Sequence, residues 1–115
     1  MATYKETLRS LALNDEGFLE EVLGMGHDTV EVSGLDKKTH ALVRLGAAFA
    51  IDAAPSSYQS TIDLALAAGA NVDEIVGTLI AVAPTVGTAR VVSAAPELAL
   101  ALGYDVDAAL ERPDP

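Results

Sequence analysis

Residues 34–52 read GLDKKTHALVRLGAAFAID, and the fold turns on them. Asp36 stands ahead of the apolar run, where its carboxylate can accept from the first-turn N–H groups of a helix. From Ala41 to Ile51 almost every helical direction is apolar, with only Arg44 interrupting. A helix that is apolar all round is a central one. The stretch therefore predicts the middle helix of an all-α domain. At its end, AAP (residues 53–55) breaks the helix, because the residue before a proline is pushed out of helical geometry.

Working outward, Pro55 suits the first turn of a following helix over 56–68 that stops at Gly69. NVDE (71–74) is a capping box with Asn in the Ser/Thr role, opening a helix over 72–82. Pro84 and Gly87 divide that helix from one over 88–95. Pro96 starts a last short helix over 97–102, closed by Gly103. Toward the amino terminus, residues 3–13 place Tyr4, Leu8, Leu11 and Ala12 at helical spacing. Asn14 and Asp15 cap a second short helix with Phe18, Leu19, Val22 and Leu23 as its stripe, ended by GMGH (24–27), where His27 reads as a loop residue. TVEVSG (29–34) reads as extended or loop, too short and isolated to make a sheet. Three parts result: a helical segment over 1–33, a helical domain over 34–103, and an acidic tail over 104–115 with a short docking helix and frayed residues.

With 115 residues, 50% of them hydrophobic and only 4% aromatic, the chain has more small apolar side chains than one small domain hides. The mean hydropathy of +0.32 points the same way. Such an excess predicts a subunit interface. A net charge of −10 argues against nucleic acid and anionic membrane surfaces as partners. No secretory signal opens the chain, and no apolar run approaches the ~20 residues of a membrane helix, so a cytoplasmic protein is expected. Zero cysteines exclude disulfides and thiolate chemistry, and two histidines alone make no metal site. No cofactor is implied.

Four pieces in order carry a resemblance: LDKKTHALV (35–43), DLALAAGA (63–70), NVDEIVGTL (71–79) and AVAPTVGTAR (81–90). From Gly34 to about Gly103 the chain resembles the carboxymuconolactone decarboxylase and AhpD-like family. The resemblance implies an AhpD-like helical bundle that associates into homotrimers or homohexamers through apolar helix faces. In the redox branch of that family, C-x-x-C-x-x-x-H opens the helix ending in the Ala-Ala-Gly signal, with a glutamate about twelve residues earlier. Here those positions fall on Ala54, Ser57 and Thr61, and on Ala41 or Leu42. A serine hydroxyl cannot replace a thiolate in disulfide exchange. Peroxidase or disulfide-reductase activity is therefore excluded for this chain acting alone. The decarboxylase branch is expected to use acid–base groups near the same helix, and its histidine position also falls on Thr61.

The remaining polar candidates are few. Ser57 and Thr61 lie one turn apart and, with Tyr58, either line a pocket for a small polar ligand or merely start and fill a helix, with Ser56 or Ser57 as its cap. His40 and Arg44 are likewise one turn apart and, with Asp52, are the polar residues of the central helix. Either His40 is an acid–base group beside an arginine that holds a substrate carboxylate, or His40 is exposed and Arg44 pairs with an acid. Arg90, among small apolar neighbours, is expected to meet an acidic residue of another helix or subunit. If the protein is an enzyme, it is a lyase or isomerase acting on a small carboxylic acid by decarboxylation or isomerisation, with His40 and Arg44 catalytic and Ser57, Tyr58, Thr61 and Arg90 binding the substrate. The alternative is a non-catalytic oligomeric scaffold or small-molecule-binding protein.

Overall fold

The computed structural model describes residues 3–17 and 29–105. Among them are six helices and no strand: α1 (Tyr4–Ala12), α2 (Val30–Ser33), α3 (Lys37–Ile51), α4 (Pro55–Ala67), α5 (Val72–Val86) and α6 (Thr88–Ala101). None of these helices is long and apolar enough to cross a membrane. The chain divides into two compact units, Met1–Leu35 and Asp36–Pro115.

In the larger unit, the Asp36 carboxylate caps α3, accepting the Thr39 N–H at 2.8 Å and the Thr39 hydroxyl at 3.0 Å. Helix α3 is central, since α4, α5 and α6 all pack against it. Its Leu45 and Phe49 are fully buried against Tyr58 and Ile62 of α4 and Ile75 of α5. Each such side chain contributes about 1.5–3 kcal/mol by leaving water. Gly46 brings α3 close to α5, for a Cβ there would lie 3.2 Å from Val82 Cγ1.

The all-round apolar helix is nonetheless covered on one side only. Val43 is 57% exposed, and Ala47 and Ala50 are exposed beside it. Three neighbouring helices wrap the stripe through Ala41, Leu45, Ala48 and Phe49, and no described residue covers the rest.

The capping box at α5 forms as expected. Asn71 Oδ1 accepts the Glu74 N–H at 2.8 Å, and Glu74 Oε1 accepts the Asn71 N–H at 3.0 Å. A 2.8 Å ion pair between Lys38 and Glu74 ties the start of α3 to the start of α5.

Two expected breaks do not occur. Helix α5 continues through Pro84 to Val86, and α6 runs through Pro96 to Ala101, so residues 88–95 and 97–102 belong to one helix. A proline removes the hydrogen bond to the carbonyl four residues back. Those carbonyls belong to Ile80 and Val92, at 68% and 66% exposure, positions where water can replace the lost donor. The true divide is Gly87, at φ 90°.

In the smaller unit, Thr3 caps α1 by accepting the Glu6 N–H at 3.2 Å, and Asn14 follows the helix in the left-handed region at φ 58°. Tyr4, Leu8, Leu11 and Leu13 are all exposed. The stretch expected to be extended or loop contains instead the single helical turn α2. Its β-branched Val30 and Val32 hide that turn from propensity. Local bonds make it: the Ser33 hydroxyl donates to the Val30 carbonyl at 2.7 Å, and Gly34 ends the turn at φ 72°. The expected stripe of Phe18, Leu19, Val22 and Leu23, the loop residue His27 and most of the acidic tail lie outside the described residues.

Candidate functional site

The polar chemistry of the larger unit gathers at the junction of α3 and α4. Asp52 ends α3 in the left-handed region (φ 55°, ψ 57°), a conformation that Asp tolerates better than most residues. Its N–H caps the helix onto the Ala48 and Phe49 carbonyls. Ala54 is extended ahead of Pro55, as the proline requires, and is itself the N-cap of α4. Neither Ser56 nor Ser57 caps this helix, and no side chain does.

This reversal aims the Asp52 carboxylate at α6, where Oδ2 meets Arg90 Nη1 at 3.1 Å. Arg90 thus finds its acid on a neighbouring helix within the chain. The pair is about half exposed, so it contributes on the order of 0–1 kcal/mol and opens at little cost.

Tyr58, in the first turn of α4, is part of the core. Its side chain is 1% exposed, and its ring sits 5.6 Å from that of Phe49 at a tilt of 37°. Its hydroxyl is closed to solvent and has no hydrogen-bond partner among the described residues. Leaving such a group unpaired costs about 1–3 kcal/mol. Burial pushes the hydroxyl above its ordinary value of 10.0, the carboxylates of Glu97 and then Asp52 push it further, and the Arg90 guanidinium opposes them. Tyr58 is therefore a neutral proton donor at physiological pH, among one positive and two negative charges.

The other candidates are arranged differently. Thr61 and Ser57 do share a face of α4, but there the Thr61 hydroxyl donates to the Ser57 carbonyl at 2.7 Å. Ser57 itself is exposed and Thr61 half-buried. His40 is buried at 7% exposure, whereas Arg44, one turn on, is exposed and has no ion-pair partner among the described residues. Of the six candidates, Arg90 opposes the upward push on the Tyr58 hydroxyl through its charge, and Thr61 bonds to the Ser57 carbonyl. His40 and Arg44 occupy a different part of α3. Among the described residues no cluster of three or more His, Asp or Glu side chains could hold a metal ion.

A separate groove of about 550 Å³ runs between α3 and α5, lined by Thr39, Val43, Ala47, Ala50, Ala81 and Thr85 among others. Its lining carries no charged residue, so it offers no acid or base. It does not include Ser57, Tyr58, Thr61 or Arg90.

Asp52 as the partner of Arg90, and Glu97 altogether, escape a reading of the sequence for sites. The signal for Glu97 is its spacing of seven residues from Arg90, which puts both on one face of a continuous helix. A helix broken at Pro96 conceals it. Continuity through Pro96 is what assembles the cluster.

Searches of the curated proteins and of the solved structures returned no match. The sequence model of the Carboxymuconolactone decarboxylase family matches residues 16–100, which include every helix from α2 to α5, nearly all of α6, and the whole of the Tyr58 cluster. Ala54 stands at the cap of α4 and Ser57 in its first turn, and the chain has no cysteine anywhere. This all-α chain belongs to the carboxymuconolactone decarboxylase family and lacks the thiols of its redox branch.

Proposed function

We propose that the protein binds a small carboxylic acid and carries out thiol-independent acid–base chemistry on it, either decarboxylation or isomerisation. The observation that carries this reading is the buried, unpartnered hydroxyl of Tyr58 beside the Arg90–Asp52 pair. A guanidinium is the side chain best shaped to hold a carboxylate. A hydroxyl that stays protonated donates to negative charge developing on a neighbouring oxygen, as loss of CO2 or a proton shift along a carbonyl system requires. Recognition in this proposal centres on Tyr58 and Arg90, with Ser57 and Thr61 at the rim. His40 and Arg44 contribute to the site only if another subunit brings them to it.

A thermal-shift titration with small carboxylates tests the reading. A ligand bound only to the folded state stabilises it by about 2.7 kcal/mol at 100 times Kd. A saturable rise in Tm that disappears in Arg90→Gln is the expected result. No rise with any carboxylate, or an equal rise in Arg90→Gln, refutes it.

The second reading, an oligomeric scaffold without turnover, draws on the apolar α3–α5 groove and on Val43, Ile51 and Ile80 at the surface of a single chain. Either reading takes the protein as a homotrimer or homohexamer joined through that face. Light scattering measures the mass directly, and a particle of 11.8 kDa contradicts the assembly.

A further inference from the structure

The open side of α3 is not uniformly apolar. At 3.6 residues per turn, Ala50, Val43, Ala47 and Ile51 follow one another around the helix as one stripe, and Arg44 and Lys37 come next along its edge. Val43 is 57% and Ile51 75% exposed, and Val43, Ala47 and Ala50 line the groove against α5. The face is thus an apolar stripe with cations on one flank. In a chain of net charge −10, α3 holds three cations, Lys37, Lys38 and Arg44, and no acid between its caps. Lys38 is taken by Glu74, whereas Lys37 and Arg44 have no ion-pair partner among the described residues.

Charge separates the occupants that a second copy could offer. Two α3 faces set against each other bring these cations to a helix with no acid to receive them. The exposed stripe of α1 (Tyr4, Leu8 and Leu11) is flanked by Lys5 and Arg9, and sets cation against cation. The acidic tail has the complementary pattern. Residues 106–112, beyond the last described residue Asp105, read VDAALER. At helical spacing Val106, Ala109 and Leu110 form an apolar stripe, and Asp107 and Glu111 share one flank of it. Two turns of such a helix take up about 10 Å, and the α3 wall of the groove, from Thr39 to Ala50, is about 16 Å long.

We propose that the tail of one copy lies in the α3–α5 groove of the next. Val106, Ala109 and Leu110 then rest on Val43, Ala47 and Ala50, while Asp107 and Glu111 turn toward Lys37 and Arg44. The occupant belongs to a second copy because the single chain leaves this face open. Each copy both gives a tail and receives one, a heterologous contact that closes into a ring when the rotation between copies permits. The inference rests on the reading that copies associate through the α3–α5 face, and it names the segment that crosses from one copy to the other.

Light scattering on full-length variants tests it, with helical content followed by circular dichroism. Leu110→Glu alters the tail alone and should reduce the particle mass toward 11.8 kDa. Arg44→Glu should do the same, and adding Glu111→Arg to it should return the wild-type mass, a rescue that a folding defect in α3 does not show. A fluorescent peptide of residues 104–115 supplies the tail in trans. It should bind the Leu110→Glu protein, whose groove is vacant, and bind about three- to tenfold more weakly once Arg44→Glu is added.

An unchanged mass in Leu110→Glu overturns the tail as the link between copies and leaves assembly through the face standing. Equal peptide affinity with and without Arg44→Glu overturns the groove as the seat of the tail. A wild type of 11.8 kDa refutes the assembly reading and this inference together.

Discussion

Replacing Tyr58 by phenylalanine removes one oxygen and leaves the ring where it is. The ring is the larger part of the residue's contribution: it is fully buried and stacks at a tilt on Phe49 with centroids 5.6 Å apart. Aromatic pairs of this kind add about 0.5–1.5 kcal/mol beyond burial, and Phe keeps that term. What Phe loses is an unpaired hydroxyl, whose desolvation costs about 1–3 kcal/mol. Tyr58→Phe should therefore stabilise the protein by about 1–3 kcal/mol, the reverse of what most core substitutions do. In a domain of about 60–100 residues, 1 kcal/mol moves Tm by ~4–8 °C. Calorimetry and urea unfolding on the two proteins measure the change. The alkaline limb gives a second readout. Because the hydroxyl lies above its ordinary 10.0 in the folded protein, unfolding lets it ionise, and stability present below pH 10.0 is lost as pH rises through the folded value. Tyr58→Phe should flatten that decline. A variant destabilised by more than ~1 kcal/mol at neutral pH, or with an unchanged alkaline limb, refutes the orphaned hydroxyl, because either result means that the oxygen has a partner worth keeping.

Other perturbations address the scaffold. Leu45→Ala should destabilise by about 2–5 kcal/mol in urea unfolding, since Leu45 is completely buried at the meeting point of α3 with its neighbours. Asn71→Ala breaks the capping box of α5 and should lower stability by about 1 kcal/mol, whereas Asn71→Ser should restore most of it. Hydrogen bonding from Lys38 holds Glu74 below its ordinary 4.5, and the Thr39 N–H holds Asp36 below 3.8. Groups shifted down stabilise the fold above their unfolded values and cease to as pH falls through the folded ones. Urea midpoints measured from pH 7 to pH 3 should drop below about pH 4.5, less steeply in Glu74→Gln. Ala47→Glu puts a charge on the exposed apolar groove between α3 and α5; on the proposed assembly through that face, light scattering should show smaller particles than wild type, with the helical fold intact by circular dichroism.

The elements most legible in the sequence are those written in local chemistry. Asp36, Asn71 with Glu74, and Pro55 each determine a helix boundary within three or four residues of themselves, and each boundary falls where its cap places it. Boundaries that depend on what surrounds the helix are not written locally. Pro84 and Pro96 carry the same propensity to break as any interior proline. They are tolerated because Ile80 and Val92, whose carbonyls lose a donor, face water. Val30 and Val32 favour an extended chain, and a serine and a glycine outvote them within one turn. The open side of α3 is likewise a property of the assembly of helices: Val43 and Leu45 read alike in sequence, and only packing separates one at 57% exposure from one at 0%.

The same distinction governs the site. The absence of cysteine is decidable from the chain alone, and it removes electron transfer through thiols without any coordinate. The proposed polar site is not. Asp52 comes from the end of α3, Tyr58 from α4, and Arg90 and Glu97 from α6, and no two share a recognisable motif. They meet because α3 ends in a left-handed turn, because α4 begins at once after it, and because α6 does not stop at Pro96. If α6 broke there, Glu97 would leave the face of Arg90. A variant in which the helix is made to break, such as Ala94→Pro, is expected to separate Arg90 from Glu97 and to destroy the core contact of the fully buried Ala94 in the same stroke, so it cannot isolate the effect. Glu97→Gln can. It keeps the helix and removes one of the two negative charges, and carboxylate affinity should then rise for malonate more than for pyruvate. Equal gains for both acids mean that Glu97 acts only as distant surface charge and that discrimination between mono- and dianions is set elsewhere.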